Sequence, residues 1–192
     1  MLIDEIKKFS SKIQSKFYFN YDLKKSNWFN IGGKTKVFFK PESLKDLMSF
    51  LKEFGKNNKI YILGAGSNTL ISDNTFDGIV IKLAKNFANI SLLPNDIIVA
   101  GSACSDKKLS EFALANEIGG FEFLSCIPGT IGGGLKMNAG CFKREFKDIL
   151  VSIQAINTQG EVITIPADKV LFQYRGNDLP ESHCLCIGTK PY

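Results

Sequence analysis

No run of apolar residues in this chain approaches the length needed to span a membrane. The stretch from Met1 to Phe19 alternates charged and apolar residues and lacks the uninterrupted apolar core of a signal peptide. Lysine and arginine exceed aspartate and glutamate enough for a net charge of +5, but the excess is spread out, and no basic stripe of the nucleic-acid-binding kind is present. These absences set the expectation of a cytoplasmic protein with neither a membrane nor a nucleic acid as partner. The five cysteines (Cys104, Cys126, Cys141, Cys184 and Cys186) are odd in number and scattered, which argues against a disulfide framework. Histidine is nearly missing: His183 is the single one. It lies beside Cys184 and Cys186, but without a second ligand pair at zinc-finger spacing the run reads as an apolar strand end, so no metal site is expected. What remains is ordinary for a globular protein, 44% apolar and 22% charged residues, which excludes a disordered chain. The 192 residues suffice for one large domain or two small ones.

Periodicity outlines the elements. Residues 1–18 read as an amphipathic helix with Leu2, Ile6, Phe9 and Ile13 on one face. Asn27 to Gly33 is a turn, and Lys36 to Phe39 a short strand. Ser43 to Asn57 is the clearest helix: Leu44, Leu47, Met48, Leu51 and Phe54 follow its period, Ser43 is a good N-cap, and Asp46 adds negative charge to the first turn. Buried strands are expected at Lys59–Leu63, Ile79–Leu83 and Ile97–Gly101. A helix is expected at Leu109–Asn116, stopping at Gly119-Gly120. Val151–Ile156 and Val162–Ile165 flank Thr158-Gln159-Gly160 as a hairpin. Strands and helices mix without strict alternation, which implies α+β with two α/β subdomains, residues 1–85 and 86–192.

Two glycine-rich segments carry the chemistry. The first, Gly64, Ala65, Gly66, Ser67, Asn68 and Thr69, follows a strand. Glycines there permit positive φ, and successive backbone N–H groups can then face one concavity and hold a phosphate. A Rossmann fingerprint would need a third glycine where Thr69 stands, and Leu70 to Asn74 does not read as a long helix. Taken alone, the segment is most simply a strand-to-loop turn. The second is Ile127, Pro128, Gly129, Thr130, Ile131, Gly132, Gly133 and Gly134, running on to Met137-Asn138-Ala139-Gly140. Gly129 and Gly134 have P-loop spacing, but the lysine and Ser/Thr that should follow are missing, which disfavours Mg-nucleotide hydrolysis. A plain turn does not need so many glycines; close backbone approach to a ligand does. Two such segments could grip one pyrophosphate from both sides.

The order Asn27-Trp28-Phe29-Asn30-Ile31-Gly32-Gly33, Leu63 to Asn68, Ile127 to Gly140 and Phe172-Gln173-Tyr174-Arg175 resembles the UDP-N-acetylenolpyruvoylglucosamine reductases, also called UDP-N-acetylmuramate dehydrogenases, from about residue 20 to about residue 182. The combination of Pro-Gly-Thr-Ile-Gly-Gly with Met-Asn-Ala-Gly is its most specific part. The resemblance implies the α+β FAD-binding fold of the vanillyl-alcohol-oxidase-like flavoproteins. Non-covalent FAD would lie between two subdomains, with its pyrophosphate on Gly64, Ala65, Gly66, Ser67, Asn68 and Thr69 and on Ile127, Pro128, Gly129, Thr130, Gly132, Gly133 and Gly140. It further implies NADPH as electron donor, a UDP-sugar as substrate and a place in peptidoglycan synthesis.

Arg175 stands at the family's Tyr-Arg position, which implies that it stabilises the enolate charge formed by hydride addition to the enolpyruvyl group. Read without the motif, it is a surface arginine in a turn before Gly176-Asn177. Family members are expected to run on past residue 192 into a third subdomain that holds a serine proton donor, a glutamate and much of the UDP-sugar; no residue here matches those two groups. Departures are Asn177 where serine is usual, Cys126 where glycine is usual, and a Ser182–Tyr192 segment in which Gly188 and Pro191 would interrupt the expected strand. The alternatives are a non-enzymatic FAD-binding remnant and another FAD oxidoreductase of the same fold. Oxidases that hold flavin covalently through histidine fit poorly, since His183 lies outside both glycine segments.

Overall fold

The computed structural model describes residues 2–180 in full and the backbone of the strand Cys184–Thr189. The chain opens with helix α1 (Leu2–Ser10), which buries Ile6 and Phe9. The helix is shorter than expected, because β1 begins at Lys16 and runs to Asp22. The sequence Lys-Phe-Tyr-Phe-Asn-Tyr-Asp is aromatic and alternating, and aromatic residues fit a pleated surface better than a helix. Strand β2 (Lys34–Lys40) pairs antiparallel with β1, with Phe17 opposite Phe39 and their rings stacked at 4.4 Å. Helix α2 (Leu44–Phe54) follows, capped as expected: the Ser43 side chain accepts the Asp46 N–H at 3.1 Å. Strands β3 (Ile60–Ile62) and β4 (Phe76–Ile81) complete a four-stranded sheet in the order β1-β2-β4-β3, with β4 parallel to both β2 and β3. Strand β3 is therefore an edge strand, with Tyr61 exposed, rather than the buried strand its apolar run suggested.

One face of this sheet carries Val37, Phe39, Ile79 and Ile81 against Leu47, Phe50, Leu51 and Phe54 of α2 and Ile6 and Phe9 of α1. Phe50 alone touches the rings of Phe9, Phe17, Phe39 and Phe54. Truncating such a ring to alanine costs on the order of 3–5 kcal/mol. The opposite face is thinner, with Phe38 and Val80 covered by Leu23 and Leu63.

The second sheet draws on later residues. Strands β5 (Ile90–Leu93) and β6 (Ile97–Gly101) form a hairpin, and helix α3 (Asp106–Ala115) follows. Helix α3 starts three residues before the expected Leu109, because Ser105 caps it by accepting the Lys108 N–H. Helix α4 (Ile131–Lys136) comes next, then the short hairpin β7 (Gly140–Cys141) and β8 (Arg144–Glu145). Strands β9 (Leu150–Ile156) and β10 (Val162–Pro166) are the expected antiparallel hairpin. A two-residue-per-strand hairpin, β11 (Phe172–Gln173) and β12 (Gly176–Asn177), precedes β13 (Cys184–Thr189).

The second sheet has the order β10-β9-β13-β6-β5, with every pairing antiparallel. Gly188 does not break β13. The strand is central, paired to β9 on one side and β6 on the other, and the glycine sits at a register shift between Gly188 and Thr189 in the β9 ladder. Two ladders outweigh one residue's poor strand propensity, and an irregular pairing is a usual place for a strand glycine. Pro191 and His183 lie outside the described residues, as do the side chains of Cys184 and Cys186. One face of this sheet packs Ile98, Ala100, Ile153 and Ala155 against Leu109 and Ala113 of α3, Ile131 and Leu135 of α4, and Phe146. The two layers meet where Ile156, at the end of β9, joins the first core.

Candidate functional site

A cavity of about 630 Å³ opens between the end of β3, the β6–α3 connection and α4. It falls within the roughly 300–1,000 Å³ of small-molecule and cofactor pockets. All thirteen residues that the sequence marked for a cofactor line it, and so does Arg175. The two glycine segments touch: a Cβ at Gly64 would lie 2.7 Å from Thr130 Oγ1.

The first segment leaves β3 after the Leu63 N–H bonds Ile81 O at 2.8 Å. Among the described residues, the N–H groups from Gly64 to Thr69 make no backbone hydrogen bond, which leaves them to a ligand or water. Gly66 has φ +72° and lies so close to the Ser26–Asn27 backbone that a Cβ would meet Ser26 O at 2.6 Å. Its carbonyl accepts the Trp28 N–H at 3.0 Å. The buried Asn27 side chain fixes that brace, donating to Leu23 O at 2.9 Å and Ile31 O at 2.8 Å. The Asn27–Gly33 turn, given no role by its sequence, is the buttress of the first segment.

The second segment is not wholly a loop. From Ile131 it is helix α4, so three of its glycines occupy helical positions, where each costs up to about 1 kcal/mol relative to alanine. The structure divides their purposes. At Gly132 a Cβ would sit 2.9 Å from Ser102 Cβ, and at Gly134 it would sit 2.4 Å from the Phe146 ring. Those two give room to protein. At Gly133 nothing lies nearer than Thr130 Oγ1 at 3.5 Å. Close approach to a ligand therefore remains an explanation for Gly133 and does not account for the whole run.

Arg175 sits at the tip of the β11–β12 hairpin with φ +59°, uncommon for a residue that is not glycine. It is exposed, and its Nη1 donates to Gly140 O at 3.3 Å while its guanidinium lies 5.2 Å from the Tyr174 ring centroid. Asn138, fully buried, ties the neighbourhood together: its Nδ2 donates to Glu145 Oε2 at 3.0 Å and Gln173 O at 3.2 Å, and its Oδ1 accepts the Lys147 N–H. Asn177 reaches α4 with its amide, donating to Leu135 O at 2.8 Å and Lys136 O at 3.2 Å. The asparagine of Met-Asn-Ala-Gly and the unusual Asn177 are thus the struts that carry Arg175 to the cavity. Glu145 stays below the usual carboxylate range, chiefly through its hydrogen bond with Lys147.

Further lining residues escaped sequence reasoning. Lys82 and Lys136 add positive charge with Arg175, and among the described residues Asp106 is the one acidic group. Burial pushes the Lys82 amine down from its ordinary value, and Lys40 adds to the effect; the amine donates to Ser26 O at 3.2 Å. Ser102 and Asp106 come from the β6–α3 turn. Both are buried, and Ser102 Oγ and the two Asp106 carboxyl oxygens have no hydrogen-bond partner among the described residues. Burial raises the Asp106 carboxyl to about 7.

Cationic lining, free loop amides, an open face at Gly133 and orphaned polar atoms all suit an elongated anionic ligand such as a dinucleotide. The fold and this cleft define a flavin-binding module. A family model described as FAD binding domain matches residues 35–166, and the chain belongs to that family. It is 74% identical over 181 residues to the UDP-N-acetylenolpyruvoylglucosamine reductase of Pelagibacter ubique (strain HTCC1062), covering 94% of this chain and 60% of that protein. It is 46% identical over 170 residues to the reductase of the same name from Rickettsia massiliae (strain Mtu5), covering 88% and 57%. The chain therefore spans about 60% of the length of these relatives. Among solved structures, the UDP-N-acetylenolpyruvylglucosamine reductase of Thermus caldophilus superimposes with a TM-score of 0.75 at 24% identity, covering 93% of this chain and 62% of that one. That likeness establishes the α+β fold expected of vanillyl-alcohol-oxidase-like flavoproteins. Among the described residues no helix is long and apolar enough to cross a membrane, and no group of three or more His, Cys, Asp or Glu could hold a metal.

Proposed function

We propose that this chain is the FAD-binding part of a reductase that converts UDP-N-acetylenolpyruvoylglucosamine to UDP-N-acetylmuramate with NADPH, a cytoplasmic step of peptidoglycan synthesis. The observation that carries the reading is that the two glycine segments and Arg175, far apart in sequence, line one cavity. Its support is the 74% identity to the Pelagibacter reductase over nearly the whole chain. In this reading residues 1–85 and 86–192 are two subdomains that hold the cofactor between them.

The residues divide the work. The free N–H groups of Gly64 to Thr69 and the face at Gly133 hold the pyrophosphate, with Lys82 and Lys136 supplying countercharge. FAD, when bound, supplies the two-electron carrier between NADPH and the enolpyruvyl double bond. Arg175 is the catalytic residue. Its guanidinium, steadied by Gly140 O and the Tyr174 ring, sits at the rim where a substrate carboxylate can meet it and stabilises the charge that grows there. The test is titration of the purified, flavin-free protein with FAD, followed by flavin fluorescence, and then an NADPH-oxidation assay with the UDP-sugar after joining the chain to the remaining length of its Pelagibacter relative. Saturable binding and sugar-dependent oxidation that Arg175→Ala removes support the reading. Absence of FAD binding sinks it.

A further inference from the structure

The β6–α3 turn places two polar side chains under the second glycine segment, and neither has a hydrogen-bond partner among the described residues. Asp106 is fully buried and Ser102 is 6% exposed, yet both line the cavity. The packing is close. A Cβ at Gly129 would lie 2.6 Å from Asp106 Oδ2, one at Gly134 would lie 3.2 Å from Oδ1, and one at Gly132 would touch Ser102. The backbone is stitched as well: the Asp106 N–H donates to Gly129 O at 3.3 Å, and the Gly132 N–H to Ser102 O at 3.0 Å. The glycine segment therefore fits around these two side chains, and their free atoms belong to whatever fills the cavity. Buried polar atoms without partners are rare, because each costs about 1–3 kcal/mol.

We propose that Asp106, with Ser102 beside it, acts as a neutral hydrogen-bond donor to a diphosphate oxygen of the bound dinucleotide, so that the site accepts its ligand with Asp106 protonated. The proposal rests on the FAD reading of the cavity. An ionised carboxylate there would meet a phosphate with like charge in a poorly solvated place; a carboxylic acid offers it a proton. The chemistry of the surroundings agrees. Burial alone holds the Asp106 carboxyl up to about 7, and no cation lowers it. On its own segment the ionisable residues are Cys104, whose thiol is pushed up by burial, and the exposed Lys107 and Lys108. The glycine segment packed over it, residues 127–134, carries no ionisable side chain. Lys82, Lys136, Arg175, Cys126 and Cys141 line the same cavity and are unchanged in the control variants below.

The proton requirement gives the test. FAD affinity of the purified chain is measured by fluorescence from about pH 6 to about pH 8, a window in which the cofactor itself does not titrate. The wild type should bind about tenfold more weakly at the upper end, since the competent protonated fraction falls by about that factor across a group titrating near the middle. Asp106→Asn keeps a donor and cannot ionise, so its affinity should stay flat and close to the low-pH wild type. Asp106→Ala should bind weakly throughout. Calorimetry near pH 8 in two buffers of different ionisation enthalpy should show close to one proton taken up per FAD, and none for Asp106→Asn. A flat wild-type profile, tighter binding at high pH, or the same slope in Asp106→Asn overturns the proposal and leaves the FAD reading standing. A wild type that binds no FAD at any pH overturns both.

Discussion

Gly133 separates what folding asks of the second glycine segment from what a ligand asks. Its position is helical and its φ is not positive, so alanine fits there without backbone strain. The added Cβ would meet nothing closer than Thr130 Oγ1 at 3.5 Å. Gly133→Ala should therefore stabilise the flavin-free protein by about 0.5–1 kcal/mol, by improved helix propensity and a less flexible unfolded chain. For a chain of this size that raises the melting temperature by about 2–4 °C per kcal/mol. The same methyl projects into the cavity and should weaken FAD binding. Gly133→Asp sharpens the contrast. A carboxylate about 4 Å from one phosphate charge, at an effective dielectric near 20, is repelled by about 4 kcal/mol, close to a thousandfold in affinity. Gly134→Ala is the internal control, because its Cβ would strike the Phe146 ring at 2.4 Å and should destabilise by about 1–3 kcal/mol. Thermal unfolding and FAD titration of the three variants are the assays. If Gly133→Asp binds FAD like the wild type, the cavity face at Gly133 is not where the pyrophosphate lies.

Asp106→Asn should also change stability with pH. A folded pKa of about 7 lies above the roughly 4 of an unfolded aspartate, so the wild type loses stability as pH rises from about 4 to about 7, by at most about 4 kcal/mol, and is level above that. Denaturant unfolding of flavin-free Asp106→Asn should lack this decline; an identical pH profile in both proteins refutes the buried carboxyl. The flavin should be released by acid precipitation, since no histidine among the described residues lines the cavity; yellow colour retained by the washed pellet would point to a covalent link, with Cys126 and Cys141 the cysteines of the described lining. The FAD-loaded chain by itself should oxidise NADPH with little acceleration by the UDP-sugar, because it spans about 60% of its relatives and Arg175 is solvent-exposed, where a charge contact is weak. Sugar-dependent turnover near the ordinary enzyme rate of about 10 s⁻¹ would show the chain catalytically complete.

Local rules located most of the elements because α2 and the β9–β10 hairpin are specified by neighbours in sequence: a serine cap with a helical apolar period, and two alternating runs around a glycine turn. They failed where tertiary pairing decides. The start of strand β1 was absorbed into a helix because Ile13 extends an apolar face, yet its aromatic residues found partners in β2, 14 to 22 residues away. Strand β13 was discounted for its glycine, a judgement that cannot see two neighbouring ladders. All thirteen cofactor candidates line the cavity because a glycine cluster is a local signal of close approach, and the resemblance supplied the rest. Which glycine serves which neighbour was not legible, since it depends on Phe146 and Ser102 arriving from elsewhere.

Asp106 shows why the electrostatics of a site are harder to read than its backbone. An aspartate one residue after a serine cap is a common solvent-facing complement to a helix dipole, and its sequence context offers nothing else. Here the same position points inward, because the β6–α3 turn is folded beneath α4 and closed by the Ser105–Thr130 bridge. Once buried without a cation, the carboxyl keeps its proton up to about pH 7, and below that the charge of the described lining comes from Lys82, Lys136 and Arg175. All three attach to the structural frame through backbone carbonyls, Lys82 to Ser26, Lys136 to Leu179 and Arg175 to Gly140. Carbonyl partners orient a cation without neutralising it. Among the described residues, an anion entering the cavity therefore meets three cations and, while Asp106 keeps its proton, no opposing carboxylate, an arrangement that arises from how the turns stack and that no single stretch of the sequence displays.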